Sequence, residues 1–239
     1  MIATGHGWGL AAFPLAASLI ALAFTLVLAA RVARRLRPHE LVWAVALAMY
    51  AAASFAMFLG VVRGWHPVDY KVYWLLGAIL NVPFLLQGEV YLLIRRRAVA
   101  HGLLAALVAL SLYAAQQVWS ATLLAPALRG SLPLGKDAFG SGSGAYRLAQ
   151  VYALPAYFLL LGGLVWSARQ MRGRPEIKDR TAGTVAIAIG ATIVAVGSGI
   201  GAGFHIVPLF STSLAAGVAV MFLGFLRAGR SPRELPAPA

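Results

Sequence analysis

Residues 70–97 read YKVYWLLGAILNVPFLLQGEVYLLIRRR. The part up to Ile94 is long and apolar enough to cross a bilayer with some tilt, because about 20 helical residues span the hydrocarbon core. It stops at Arg95, Arg96 and Arg97, and it carries Asn81, Pro83, Gln87 and Glu89 inside. Polar groups at that depth are costly; an ionisable residue near a helix centre costs roughly 2.5 to 3.5 kcal/mol on insertion scales. The segment therefore reads as a membrane helix whose polar groups face other helices, and that reading sets the fold of the whole chain.

The composition agrees. Of 239 residues, 61% are hydrophobic and only 11% charged, where a soluble domain carries about a quarter charged residues. Apolar runs recur on both sides of the opening stretch. They give seven spans, at about 10–30, 41–62, 70–94, 99–124, 148–168, 181–204 and 205–226, and a short tail at 231–239. The expected fold is all-α, a single polytopic bundle of seven transmembrane helices filling residues 1–230. Between the fourth and fifth spans lies the one long loop, residues 125–146, with Pro126, Pro133 and Gly140-Ser141-Gly142-Ser143-Gly144. Its composition predicts a flexible connection.

Charge orients the bundle. The connections after spans one, three and five, together with the tail, hold fifteen of the 20 Lys and Arg residues, and the opposite side holds Arg63, Lys71, Arg129, Lys136 and Arg147. Cytoplasmic loops collect Lys and Arg during insertion, so the N-terminus is expected outside and the C-terminus in the cytoplasm, with the protein in the plasma membrane. No basic residue precedes the first apolar run, as a signal peptide would require. The net charge of +13 then belongs to the membrane, where basic loops meet anionic lipid head groups, and nucleic acid is not an expected partner. Membrane lipids are expected partners, with a small apolar ligand, a protein partner or a second copy of the chain as further candidates.

Several motifs bear on packing and chemistry. The sixth span has Gly183, Gly190 and Gly197 at seven-residue spacing, then the pairs Gly197/Gly201 and Gly199/Gly203, which let a neighbouring helix approach closely. Pro83, Pro155 and Pro208 fall inside spans three, five and seven, where a missing donor can kink a helix. Asn81 sits near the midplane. Tyr73, Trp74, Gln116, Gln150 and His205 lie level with one another near the outer ends of their spans. Apolar walls with a few placed polar groups make ligand sites, so Asn81 and these five residues are the candidate ligand-binding set; an interfacial aromatic belt is the competing reading. Glu89, the buried ionisable residue, is nearer the inner side, where an ion pair with Arg96 or another rim arginine, a protonated carboxyl, or a proton relay would each account for it.

Other chemistries are poorly supported. There is no cysteine and no pair of histidines one helical turn apart, so neither a metal nor a haem cofactor is expected, and no catalytic set emerges. A retinal Schiff base would need a lysine in the seventh span, whereas the lysines are Lys71, Lys136 and Lys178.

The stretch 43–94, with Gly64-Trp65 before a Tyr-rich third helix and the segment from Gly77 to Tyr91, resembles uncharacterised bacterial seven-helix membrane proteins. It is also loosely similar to the membrane input region of some sensor histidine kinases. That resemblance implies a sensory role, but no kinase or other output domain follows Arg227 in this sequence. The expected function is thus a non-enzymatic membrane protein of sensory, ligand-binding or accessory type. A small-solute or lipid transporter and an intramembrane metal-dependent hydrolase are the alternatives.

Overall fold

The computed structural model describes residues 6–130, 132–172, 178–204 and 206–229, with side chains from residue 9 onward. Seven helices in it are long and apolar enough to cross a membrane. They are α1 (His6–Arg34), α2 (Pro38–Arg63), α3 (Pro67–Leu93), α4 (Arg97–Ser120), α5 (Gly144–Met171), α6 (Lys178–Gly203) and α7 (Val207–Ala228). Among the described residues there is no strand. The tail at 231–239 and His205 lie outside the described residues.

Local chemistry sets the helix ends. Pro38 and Pro67 occupy first turns, where the missing N–H costs nothing. His66 Nδ1 accepts from the Val68 N–H at 3.3 Å, and Ser143 Oγ accepts from the Tyr146 N–H at 3.2 Å. α2 ends at Gly64, whose φ of 86° suits glycine. At the basic end the helices run about a turn beyond the apolar spans, with α1 continuing to Arg34 and α5 to Met171. Hydropathy marks the hydrocarbon; the helix goes on through the interface while arginines reach for water.

Two boundaries differ for other reasons. α4 stops at Ser120, short of the expected 124, because Ala121 turns extended and the Leu124 N–H bonds the Ala138 carbonyl at 2.9 Å. The seventh helix begins at Val207, which puts Pro208 in its first turn and not within the span. Pro208 therefore breaks no helical bond there.

α3 packs between α2 and α5 and carries α4 on its outside. Its middle, Tyr73–Leu80, is a π-helix in which the Asn81 N–H reaches the Leu76 carbonyl five residues back. The wide turns end three residues before Pro83, whose ring would clash with the carbonyl four positions earlier in a regular helix. Polar side chains then tie the helices together through backbone carbonyls. Asn81 Nδ2 donates to the Ala46 carbonyl at 2.7 Å, Gln87 Nε2 to Ala100 at 2.8 Å and Trp43 Nε1 to Leu85 at 3.0 Å. Tyr50 Oη donates to Leu214 at 2.9 Å and Ser18 Oγ to Ala51 at 2.9 Å. Such bonds contribute about 0.6 kcal/mol each on average, enough to fix register.

The glycines of α6 close it onto α7, the most extensive helix pair. Gly183 faces Gly224, Gly190 faces Gly217, Gly197 faces Ser213 and Gly201 faces Phe210, while Gly199 and Gly203 point into open space. The two G-x-x-x-G pairs of the sequence thus lie on different faces, and only the first is used in packing. α4 is peripheral, touching α3 and α5 with Ala100, Ala114 and Val118 buried and Leu103, Leu110 and Leu112 exposed.

The loop between α4 and α5 is packed, contrary to its composition. It holds a 3-10 turn at Ala127–Arg129 and a short helix at Gly135–Phe139, and it buries Leu132, Ala138 and Phe139. Phe139 lies against Tyr70 and Trp74, with ring centroids 5.6 and 5.8 Å apart, and Tyr70 Oη donates to the Pro133 carbonyl at 3.3 Å. A few apolar side chains among the glycines and prolines were enough to seat the segment on α3 as a plug.

Candidate functional site

The end of the bundle opposite that plug is open. A cavity of about 670 Å³ enters from the arginine-rich end and is lined by every span except α4. Its inner walls are apolar, with Phe24, Leu47, Leu85, Leu160, Ile187 and Met221. Polar and charged groups gather toward its mouth: Arg31 from α1, Arg37, His39 and Glu40 at the start of α2, Ser167 and Gln170 from α5, and Arg180 from α6. A volume in this range suits a ligand of drug or lipid-head size.

The charged groups divide into paired and unpaired. Glu40 is buried and meets Arg37 at 3.5 Å, so that carboxylate is neutralised within the protein. Arg31 stands 4.4 Å from the centroid of the Phe225 ring, a cation–π contact that leaves its N–H groups unsatisfied by any acid among the described residues. Arg180 likewise has no acidic partner there and is exposed.

Glu89 is 2% exposed. Its Oε1 accepts a hydrogen bond from Ser167 Oγ at 3.0 Å, and among the described residues no arginine pairs with it. The expected rim partners are out of reach because the chain turns at Ile94 and leaves Arg95, Arg96 and Arg97 exposed. Glycines make the space. A Cβ at Gly163 would come within 3.1 Å of Glu89 Cγ, and Gly88 lets the Trp43 indole lie flat against α3. Gly163 and Ser167 are one turn apart on α5, so the same face both admits the carboxyl and bonds it. Among the described residues Oε2 has no hydrogen-bond partner. It is not sealed either, since Ser211 Oγ is the one fully buried, unpartnered side-chain atom among the described residues. Oε2 therefore opens to the cavity.

The sequence-predicted set falls elsewhere. Asn81 is buried in its bond to α2. Tyr73 packs against Trp65 and Tyr70 with centroids at 5.3 and 5.9 Å, and Trp74 donates to the Ala145 carbonyl at 2.9 Å beneath the plug. Gln116 and Gln150 are exposed, the latter donating to Tyr146 Oη at 3.2 Å. None of these five lines the cavity at the basic end. What sequence reasoning left out were Arg31 and Arg180, which looked like ordinary orienting charges, and Glu40 and Ser167. The Gly163/Ser167 spacing was the available signal for the last.

Among the described residues, no three His, Asp or Glu side chains gather as metal ligands would. The chain matches no protein-family model, no curated protein and no solved structure. The fold alone defines the class: an integral membrane protein of seven helices with a cavity at its basic end.

Proposed function

We propose that this is a ligand-binding protein of the plasma membrane, with a sensory or accessory role, which takes an amphipathic molecule with an anionic group into the cavity at its basic end. The observation that carries the reading is the placement of Arg31 and Arg180, without acidic partners among the described residues, above an apolar wall. An anionic head group satisfies the guanidiniums, and the chain covers Leu85, Leu160 and Met221. The excess of basic residues at that end turns the mouth toward the cytoplasm, so the ligand enters from the inner leaflet or the cytosol. At the other end the loop packs Phe139 and Pro133 over Tyr70 and Trp74 of α3, which favours a receptor or accessory role over passage through the bundle.

Thermal unfolding in maltoside micelles tests this. Dodecyl phosphate is expected to raise the melting temperature in a saturable way, and dodecanol is not. A ligand at a hundred times its Kd stabilises a protein by about 2.7 kcal/mol. Equal shifts from the two compounds, or none from either, would remove the reading.

A further inference from the structure

We infer that the ligand's head group also carries an ammonium, which is bound by Glu89. This rests on the amphipath reading above and specifies its chemistry. Glu89 is nearly fully buried, has Ser167 Oγ as its protein partner, and exposes Oε2 to the cavity. An isolated buried carboxylate is strongly unfavourable and is discharged either by taking up a proton or by meeting a cation, and one hydroxyl donor does not replace either. Among the described residues no cation of the protein pairs with Glu89: Arg37 is engaged by Glu40, Arg31 lies over Phe225, and Arg180, nearer the mouth, makes no ion pair. A ligand N–H group meets the need directly.

The levels of the groups fit a short zwitterion. Ser167 is four residues from the end of α5 at Met171, and Glu89 is four from the end of α3 at Leu93. At 1.5 Å rise per residue Glu89 lies about 6 Å in from the end of α3, and Arg180, two residues into α6, about 3 Å in from its start. Two opposite charges on a linker of two or three atoms, each with a hydrogen-bond reach of about 3 Å, cover that offset. The ligand class is therefore an amphipath with a primary ammonium close to a phosphate or carboxylate. An aminophospholipid of the bilayer and a soluble amine-bearing amphipath share this chemistry.

Head-group discrimination by the intact protein tests the assignment. Wild-type protein is titrated with dodecylphosphoethanolamine, dodecylphosphocholine and dodecyl phosphate. The first is expected to bind at least tenfold tighter than the second, which has no N–H to donate, and than the third, which has no cation. In Glu89→Gln that preference is expected to vanish while dodecyl phosphate still binds. Ser167→Ala, which keeps the carboxylate, is expected to retain it. Equal affinities for all three in the wild type would overturn the inference and leave the amphipath reading standing, and this comparison does not depend on any variant folding. Failure of all three to bind would overturn both. Mass spectrometry of lipid extracted from the purified wild-type protein separates the sources: an aminophospholipid that is lost in Glu89→Gln identifies the bilayer, and its absence from a protein that binds the added amine identifies a soluble ligand.

Discussion

Gly190→Leu is expected to leave little folded protein. A Cβ at that position would sit 2.6 Å from the Gly217 carbonyl oxygen and 2.8 Å from the Met221 amide nitrogen, so the obstacle is backbone on the facing helix, not a side chain that can turn aside. Overpacking in a core usually costs about 1 to 3 kcal/mol. Here the only relief is to part α6 from α7 along an interface where Gly183, Gly197 and Gly201 are equally close, so the expected cost is above that range. Gly199→Leu is the internal control. Nothing lies within 4 Å of its added Cβ, and it should be nearly neutral. Size-exclusion profiles and unfolding in detergent mixtures would show the contrast. Equal stability of the two variants would mean that the α6–α7 contact is not the one described.

Arg31→Glu is expected to weaken binding of dodecyl phosphate by about a hundredfold. A hydrogen bond to a charged group contributes about 1.5 to 3 kcal/mol, and each 1.4 kcal/mol is tenfold in affinity. Reversing the charge both removes that attraction and sets a carboxylate beside the anionic head. Arg31→Gln, which keeps the length and some donors, should fall between. The change leaves Arg34, Arg35 and Arg37 to orient the first helix, so topology is not expected to invert. An unchanged affinity in Arg31→Glu would place the head group elsewhere.

The architecture could be read from the sequence because its signal is long and repeated. Seven apolar runs bounded by arginines gave the helices, and the Gly183, Gly190, Gly197 spacing marked the tight pair. Asn81 stood in the candidate ligand set, but an amide at the midplane also suits an interhelical bond, and it donates to the Ala46 carbonyl. The site was harder. Arg31 and Arg180 serve the cavity with the same residue type that sets topology, so their second role has no separate signature. Glu89 was conspicuous, but its partner Ser167 is an ordinary helix-end serine, and only the fold brings the two together across 78 positions. The plug was missed for a related reason. Leu132 and Phe139 are too few to offset Gly and Pro in a composition, yet a handful of apolar contacts on Tyr70 and Trp74 suffices to order the loop.

The ligand is proposed to enter from the cytoplasm, through the cavity that opens at the basic end and reaches Glu89. The chain has no cysteine, so a single Ser167→Cys substitution gives a unique thiol beside that carboxylate. A membrane-impermeant maleimide is expected to label it in inverted bacterial membrane vesicles, with protection by dodecylphosphoethanolamine, and to leave it unlabelled in intact cells. Labelling from the cell exterior, or none from either side of a folded protein, would contradict the account.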